Sequence, residues 1–322
     1  MKSRTLKSAA AVLVVLATAA LMGPRPDARG TVEEIMLPDD LDAWVADLAS
    51  GFDDIVPGTE HRLIWNDEPG RKTSWSVVYL HGFSGSSAMA HPFVDSLASA
   101  LGANAYLPRF SGHGRGPEAL ADARLEDWIG DTVTAIRVGE RLGERVLLVG
   151  LSNGAALALW AAHQPELKSG LGAVVALSPN VRPADPSAGL LLWPWGGRLA
   201  ELVVGPTRHW EPHSEQHARF TTNGYPTRVL PQMMAGVKLL SVQDPADFGP
   251  PLLMVQSEFD TVVSVEKARE FFQRIPTHKQ LVEVGRVGDP NNHVIVGDAL
   301  SPDHTMPTVQ YILSFLDQAT DP

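Results

Sequence analysis

The run Gly150-Leu151-Ser152-Asn153-Gly154 carries the clearest chemistry in this chain. It places a serine between two glycines, directly after the apolar stretch 145–151 and directly before the Ala-rich stretch 155–163. That context describes a nucleophile exposed on a sharp strand-to-helix turn. The serine backbone is strained in such a turn, and its neighbours two positions away pass too close to other backbone to carry side chains. The helix that follows points its positive end toward any oxyanion forming at the serine. Acyl transfer needs two N–H donors converging on that oxygen, and losing one costs about 2.7–4 kcal/mol of barrier lowering. The turn His81-Gly82-Phe83-Ser84-Gly85-Ser86, closing the apolar run 77–80, offers the second donor. The expected pair is the Phe83 and Asn153 N–H groups, with His81 in a structural hydrogen-bonding role.

A serine nucleophile needs a base, and the base needs a carboxylate to orient it, in the chain order Ser, Asp/Glu, His. The apolar stretch 252–256 ends in Ser257-Glu258-Phe259-Asp260. Asp260 is the expected acid, with Glu258 and Asp289 as alternatives. Two histidines follow the last apolar run: His293 in Asn291-Asn292-His293-Val294-Ile295, and His304 beside Asp303 at a helix start. His293 is preferred.

These residues need a frame to hold them. Stretches 62–65, 76–80, 103–107, 145–151, 173–177, 252–256 and 280–284 read as strands. Stretches 91–101, 125–142, 155–163, 265–274 and 307–316 read as helices between or after them. Alternation at this spacing predicts an α/β fold with a mostly parallel sheet. The pattern breaks between Asn180 and Pro250, a span too long for a loop in a compact domain. Its apolar content (190–195, 199–204, 229–240) predicts packed helices forming a cap over the carboxyl edge of the sheet. Trp193, Trp195 and Trp210 read there either as packing or as walls of an acyl pocket. The expected organisation is a leader or anchor at 1–22, a linker and leading helix at 23–60, a core at 61–180 and 251–322, and a cap at 181–250.

In this order the pieces resemble the bacterial carboxylesterase and monoacylglycerol lipase branch of the α/β-hydrolases, within the serine aminopeptidase S33-type group. The segments Leu107-Pro108-Arg109-Phe110-Ser111-Gly112-His113-Gly114, Pro117-Glu118-Ala119-Leu120 and Trp128 match that branch's G-H-G…P-E-x-L…W region. His293-Val294-Ile295 resembles its catalytic histidine motif. The resemblance covers residues 74–318. It implies an α/β-hydrolase fold with an eight-stranded sheet and helical cap, no cofactor, and hydrolysis of carboxylic esters of medium or monoacylglycerol type. A peptidase or amidase, or an acyltransferase, would use the same triad. A peptidase would need carboxylates for the free amine, for which the cap offers Glu201, Glu211 and Glu215. A non-catalytic binding protein is the reading from another class.

Composition narrows the partners. The chain of 322 residues has a formal net charge of -11 and no basic block, which disfavours nucleic acid. It has no cysteine, so thiolate nucleophiles, disulfides and Cys-ligated zinc are excluded. His209, His213 and His217 recur every four residues, but Pro212 interrupts a helix there and a polar cap surface is the preferred reading over a metal face. At the N-terminus Lys2, Arg4 and Lys7 precede an apolar run at 9–22, the pattern of a secretory signal with Ala17-Thr18-Ala19 as cleavage site. The expected setting is periplasmic or extracellular, with membrane association through the N-terminal segment if it is not cleaved. The expected partner is a small ester or lipid-like substrate.

Overall fold

The computed structural model describes residue 18 and residues 21–320. Most of the expected leader, 1–22, lies outside the described residues. The chain runs through α1 (Leu41–Ser50), β1 (Arg62–Ile64), β2 (Thr73–Leu80), α2 (Phe93–Leu101), β3 (Asn104–Leu107) and α3 (Pro117–Asp122). It continues through α4 (Leu125–Leu142), β4 (Gly143–Leu151), α5 (Asn153–Ala161), α6 (Pro165–Lys168) and β5 (Leu171–Leu177). The stretch between Asn180 and Pro250 holds α7 (Gly196–Val204), β6 (Thr207–His209), α8 (Glu215–Phe220), β7 (Gly224–Pro226) and α9 (Leu230–Ser241). Alternation then resumes with β8 (Leu252–Ser257), α10 (Val265–Arg274), β9 (Lys279–Val284) and α11 (Pro302–Thr320).

Among the described residues, seven strands form one sheet in the order β1-β3-β2-β4-β5-β8-β9, with only β1 antiparallel. The resemblance implied eight. The residues ahead of β1 that would add a strand are Asp53, Asp54, Pro57 and Gly58, which favour turns. The Val56 N–H donates to Gly114 O in a neighbouring loop instead of to a strand.

Strand residues alternate between two cores. Val78, Leu80, Val146, Leu148, Val174 and Ala176 face α4 and α5. Val77, Tyr79, Leu147, Val149, Val175 and Leu253 face α2 and α11. Burial on both faces explains why β4 reads as a nearly unbroken apolar run. Every residue of α5 is buried, because it lies between the sheet and α9. A helix covered on all sides has no use for a polar stripe, and α5 has none.

Topology fixes where chemistry can sit. From β2 the chain crosses first to β3 on one side and later to β4 on the other. The carboxyl ends of β2 and β4 therefore flank a switch point, where open α/β sheets leave a crevice. The two ends are level, with Leu80 opposite Gly150.

Candidate active site

Ser152 stands at that switch point, between β4 and α5, with φ 56° and ψ -113°. A non-glycine residue at positive φ is strained, and such strain collects at functional sites. The flanking glycines are sterically required. A Cβ on Gly150 would lie 2.5 Å from Gly154 O, and one on Gly154 would lie 2.2 Å from Leu80 O.

His293 reaches this serine from the loop between β9 and α11. Its Nδ1–H donates to Asp260 Oδ2 at 2.7 Å, leaving Nε2 to accept from Ser152 Oγ at 2.8 Å. Asp260 lies just beyond β8 with its side chain fully buried. Its other oxygen accepts the N–H groups of Val262 and Val263 at 2.8 and 3.0 Å. These bonds leave the carboxylate one free direction, toward the imidazole. Such an arrangement fixes the histidine tautomer and can stabilise an imidazolium.

The alternatives sort by their contacts. Glu258 is exposed and faces Arg269 at 3.8 Å. His304 lies in the first turn of α11, where its N–H donates to Ser301 O. Asp289 has a part that its residue type did not reveal. Its Oδ2 accepts the N–H groups of His293 and Val294 at 3.0 and 2.9 Å, and its Oδ1 that of Asn291 at 3.1 Å. It therefore ties down the loop that presents the imidazole. Asn292, at φ 54°, completes the turn by accepting the Val287 N–H. The Asp-Pro-Asn-Asn run carried a signal for this, since Asp and Asn side chains cap their own turns.

Gly82 follows β2 beside the serine: a Cβ there would lie 3.3 Å from Ser152 Cβ. Asn153 opens α5, where the first N–H groups have no partner within the helix. Among the described residues neither the Phe83 nor the Asn153 N–H donates a hydrogen bond. The turn itself is braced from two sides. His81 Nδ1–H donates to Gly82 O, and its Nε2 accepts the Phe110 N–H at 3.1 Å. Burial depresses the His81 pKa to about 4 and that of the adjoining His113 well below the usual imidazole value. Both rings are neutral supports. On the other side Ser84 O accepts the Thr222 N–H at 2.7 Å, and Ser86 Oγ–H donates to Phe220 O at 2.9 Å. Sequence reasoning missed this link between the turn and the C-terminal end of α8.

The surroundings are apolar. The Phe83 ring meets Tyr225 and Trp128 edge-on, and Tyr225 meets Trp210. Asn180 N–H donates to Ser152 O, and its side-chain amide contacts Met233 Sδ at 3.3 Å. The three histidines spaced four apart do not share a helix: His209 is on β6, His213 precedes α8 and His217 lies within it. Among the described residues no three His, Asp or Glu side chains are grouped to hold a metal.

Residues 71–286, about two thirds of the chain, match the family described as Serine aminopeptidase, S33. No curated protein matches significantly. Solved structures do. One of the metagenome-derived lipolytic enzymes LipS and LipT shares 20% identity at a TM-score of 0.66, over 82% of this chain and 99% of that one. The monoacylglycerol lipase of Paleococcus ferrophilus shares 16% at 0.59, over 81% and 98%. A soluble variant of the Saccharomyces cerevisiae monoglyceride lipase shares 17% at 0.59, over 82% and 94%. At these identities the likeness is one of fold. With a parallel sheet, a strained serine after its fourth strand and a family match over two thirds of its length, the chain belongs to the serine aminopeptidase S33 family of α/β hydrolases.

Proposed function

We propose that this protein is a serine carboxylic-ester hydrolase whose substrate is a small or lipid-like ester. The observation that carries the reading is the unbroken hydrogen-bond chain from Ser152 through His293 to Asp260, built on a strained serine. His293 takes the Ser152 proton as Oγ attacks the ester carbonyl, and Asp260 stabilises the resulting imidazolium. The Phe83 and Asn153 N–H groups receive the oxyanion. His293 then protonates the departing alcohol, and water repeats the sequence on the acyl-enzyme. Residues 181–250 act as a cap whose Tyr225, Trp210 and Met233 give the acyl chain an apolar surface. The basic-then-apolar N-terminus supports export as the setting.

Two observations favour esters over peptides. Of the cap carboxylates a free amine would need, Glu201 is paired with Arg198, while Glu211 and Glu215 are exposed. The solved structures of similar fold include lipolytic enzymes and monoacylglycerol lipases. The test is hydrolysis of p-nitrophenyl esters of increasing chain length, with fluorophosphonate labelling in parallel. Ser152→Ala is expected to lose labelling and at least about 10⁴-fold in kcat. Labelling without turnover of any ester would move the reading to amides. Undiminished turnover in the variant would remove Ser152 as nucleophile.

A further inference from the structure

The apolar residues between β5 and β8 do not all turn inward. On α7, Leu199, Leu202 and Val203 have the i, i+3, i+4 spacing of one helical face. That face is open: Leu202 is 82% and Val203 85% exposed. Ala200, on the other side of the helix, packs into the core. Trp193, which leads into α7, is 61% exposed; Trp195 is 43% exposed, with Gly23 against its indole, and Leu190 and Val204 extend the patch. A surface helix ordinarily turns polar residues outward, and a contiguous exposed apolar patch marks a contact.

Where the chain enters the fold identifies what makes that contact. The Trp195 N–H donates to Pro24 O at 3.0 Å. Gly23 is pressed against the same residue, so closely that a Cβ there would lie 2.1 Å from the indole Nε1. Leu21 and Met22, just before it, are exposed as well. Residues 23 and 24 therefore enter the folded protein at the edge of the patch, and in the sequence the apolar run 9–22 with its basic start directly precedes them. Tryptophan settles at the membrane–water interface, and Leu and Val faces enter the headgroup–acyl boundary.

We propose that the outer face of α7, with Trp193 and Trp195, docks this protein on a lipid bilayer surface beside its N-terminal segment. The docking rests on the patch and on the chain entering beside it, and does not require the ester reading. Where that reading holds, the helix that meets lipid belongs to the same insertion that covers Ser152.

The test mixes the full chain with phosphatidylcholine vesicles carrying brominated acyl chains, with and without phosphatidylglycerol. Vesicle-bound protein is expected to show quenched tryptophan fluorescence, with most of the quenching lost in Trp193→Phe. In Leu202→Glu/Val203→Glu, the quenching and the vesicle-bound fraction should fall at least about tenfold. The thermal midpoint and any turnover of a soluble ester should stay unchanged in these variants. Vesicle binding without quenching would overturn the proposal and leave the N-terminal run as sole anchor. A double variant that turns a dimer into a monomer without altering vesicle binding would assign the face to a second copy. Absence of vesicle binding by the native chain would overturn it outright.

Discussion

Asp260 and Asp289 are equal candidates as residue types, and they differ in the donors they meet. Asp260 spends one oxygen on its own turn and gives the other to the imidazole. Asp289 gives both oxygens to backbone N–H groups of the loop that carries His293. Under the proposed mechanism the first is an acid partner and the second a positioning residue. Asp289→Ala leaves three N–H groups without their acceptor, so the His293 loop should loosen. The expected result is a kcat lower by about 10–100-fold, with KM nearly unchanged and a lower thermal midpoint. Asp289→Asn keeps a carbonyl acceptor and should recover part of both. Asp260→Asn, by contrast, disrupts the tautomer and should cost about 10⁴-fold. Steady-state kinetics on one p-nitrophenyl ester separates these outcomes. A 10⁴-fold loss in Asp289→Ala at unchanged stability would reverse the two assignments. Sequence placed both carboxylates on loops after strands, but which one points at the imidazole is decided by tertiary structure.

Among elements, the β4–α5 turn was the most legible, because its constraint is local. Gly150 and Gly154 are required by atoms within the turn and by the end of β2, which the neighbouring apolar runs already implied. Gly154→Ala would drive a Cβ against Leu80 O and His81 O, backbone atoms with little room to yield. It should cost more than about 3 kcal/mol and also lower kcat, since the displaced backbone leads to Phe83. Gly130→Ala is the control. Gly130 sits inside α4 with nothing within 4 Å of an added Cβ, so this change should stabilise by about 0.5–1 kcal/mol. Urea unfolding of the two variants tests both signs. Three elements were less legible for physical reasons. β6 and β7 have three residues each, too short for alternation to register, and Gly224 and Pro226 resemble turn residues. The missing eighth strand was an inference from resemblance that the polar turn before β1 does not honour. The apolar content of 199–204 predicted a packed helix, whereas α7 turns Leu199, Leu202 and Val203 outward.

For the whole molecule, the buried titratable groups under the site make stability depend on pH. His81 and His113 pack 5.0 Å apart in a cluster with Phe110, Phe83 and Trp128, both almost fully buried. Burial holds the first at about 4 and the second well below its ordinary 6.5. As pH falls below 6.5 the unfolded chain takes up these protons before the folded one does. The stability from neutral burial is therefore complete above about pH 6.5 and is lost progressively toward pH 4. At pH 5 this amounts to about 2 kcal/mol for His81, and His113 adds a loss of the same sign. Asp131 works in the opposite sense. Burial raises it from 3.8 to about 6, so its protonated form favours the folded state increasingly as pH falls through 6. It offsets about 1 kcal/mol at pH 5, and less to the extent that its partly exposed side chain is reached by water. His61, which burial also holds at about 4, adds a further loss, and together these losses outweigh one gain. Urea unfolding should therefore give a lower stability at pH 5 than at pH 7.5. Asp131→Asn keeps an acceptor for the Ser111 N–H while removing the compensating titration, so it should steepen that loss. His113→Asn should make it shallower. A stability that is flat between pH 7.5 and 5 in all three proteins would mean that His81 and His113 are not held neutral by the fold.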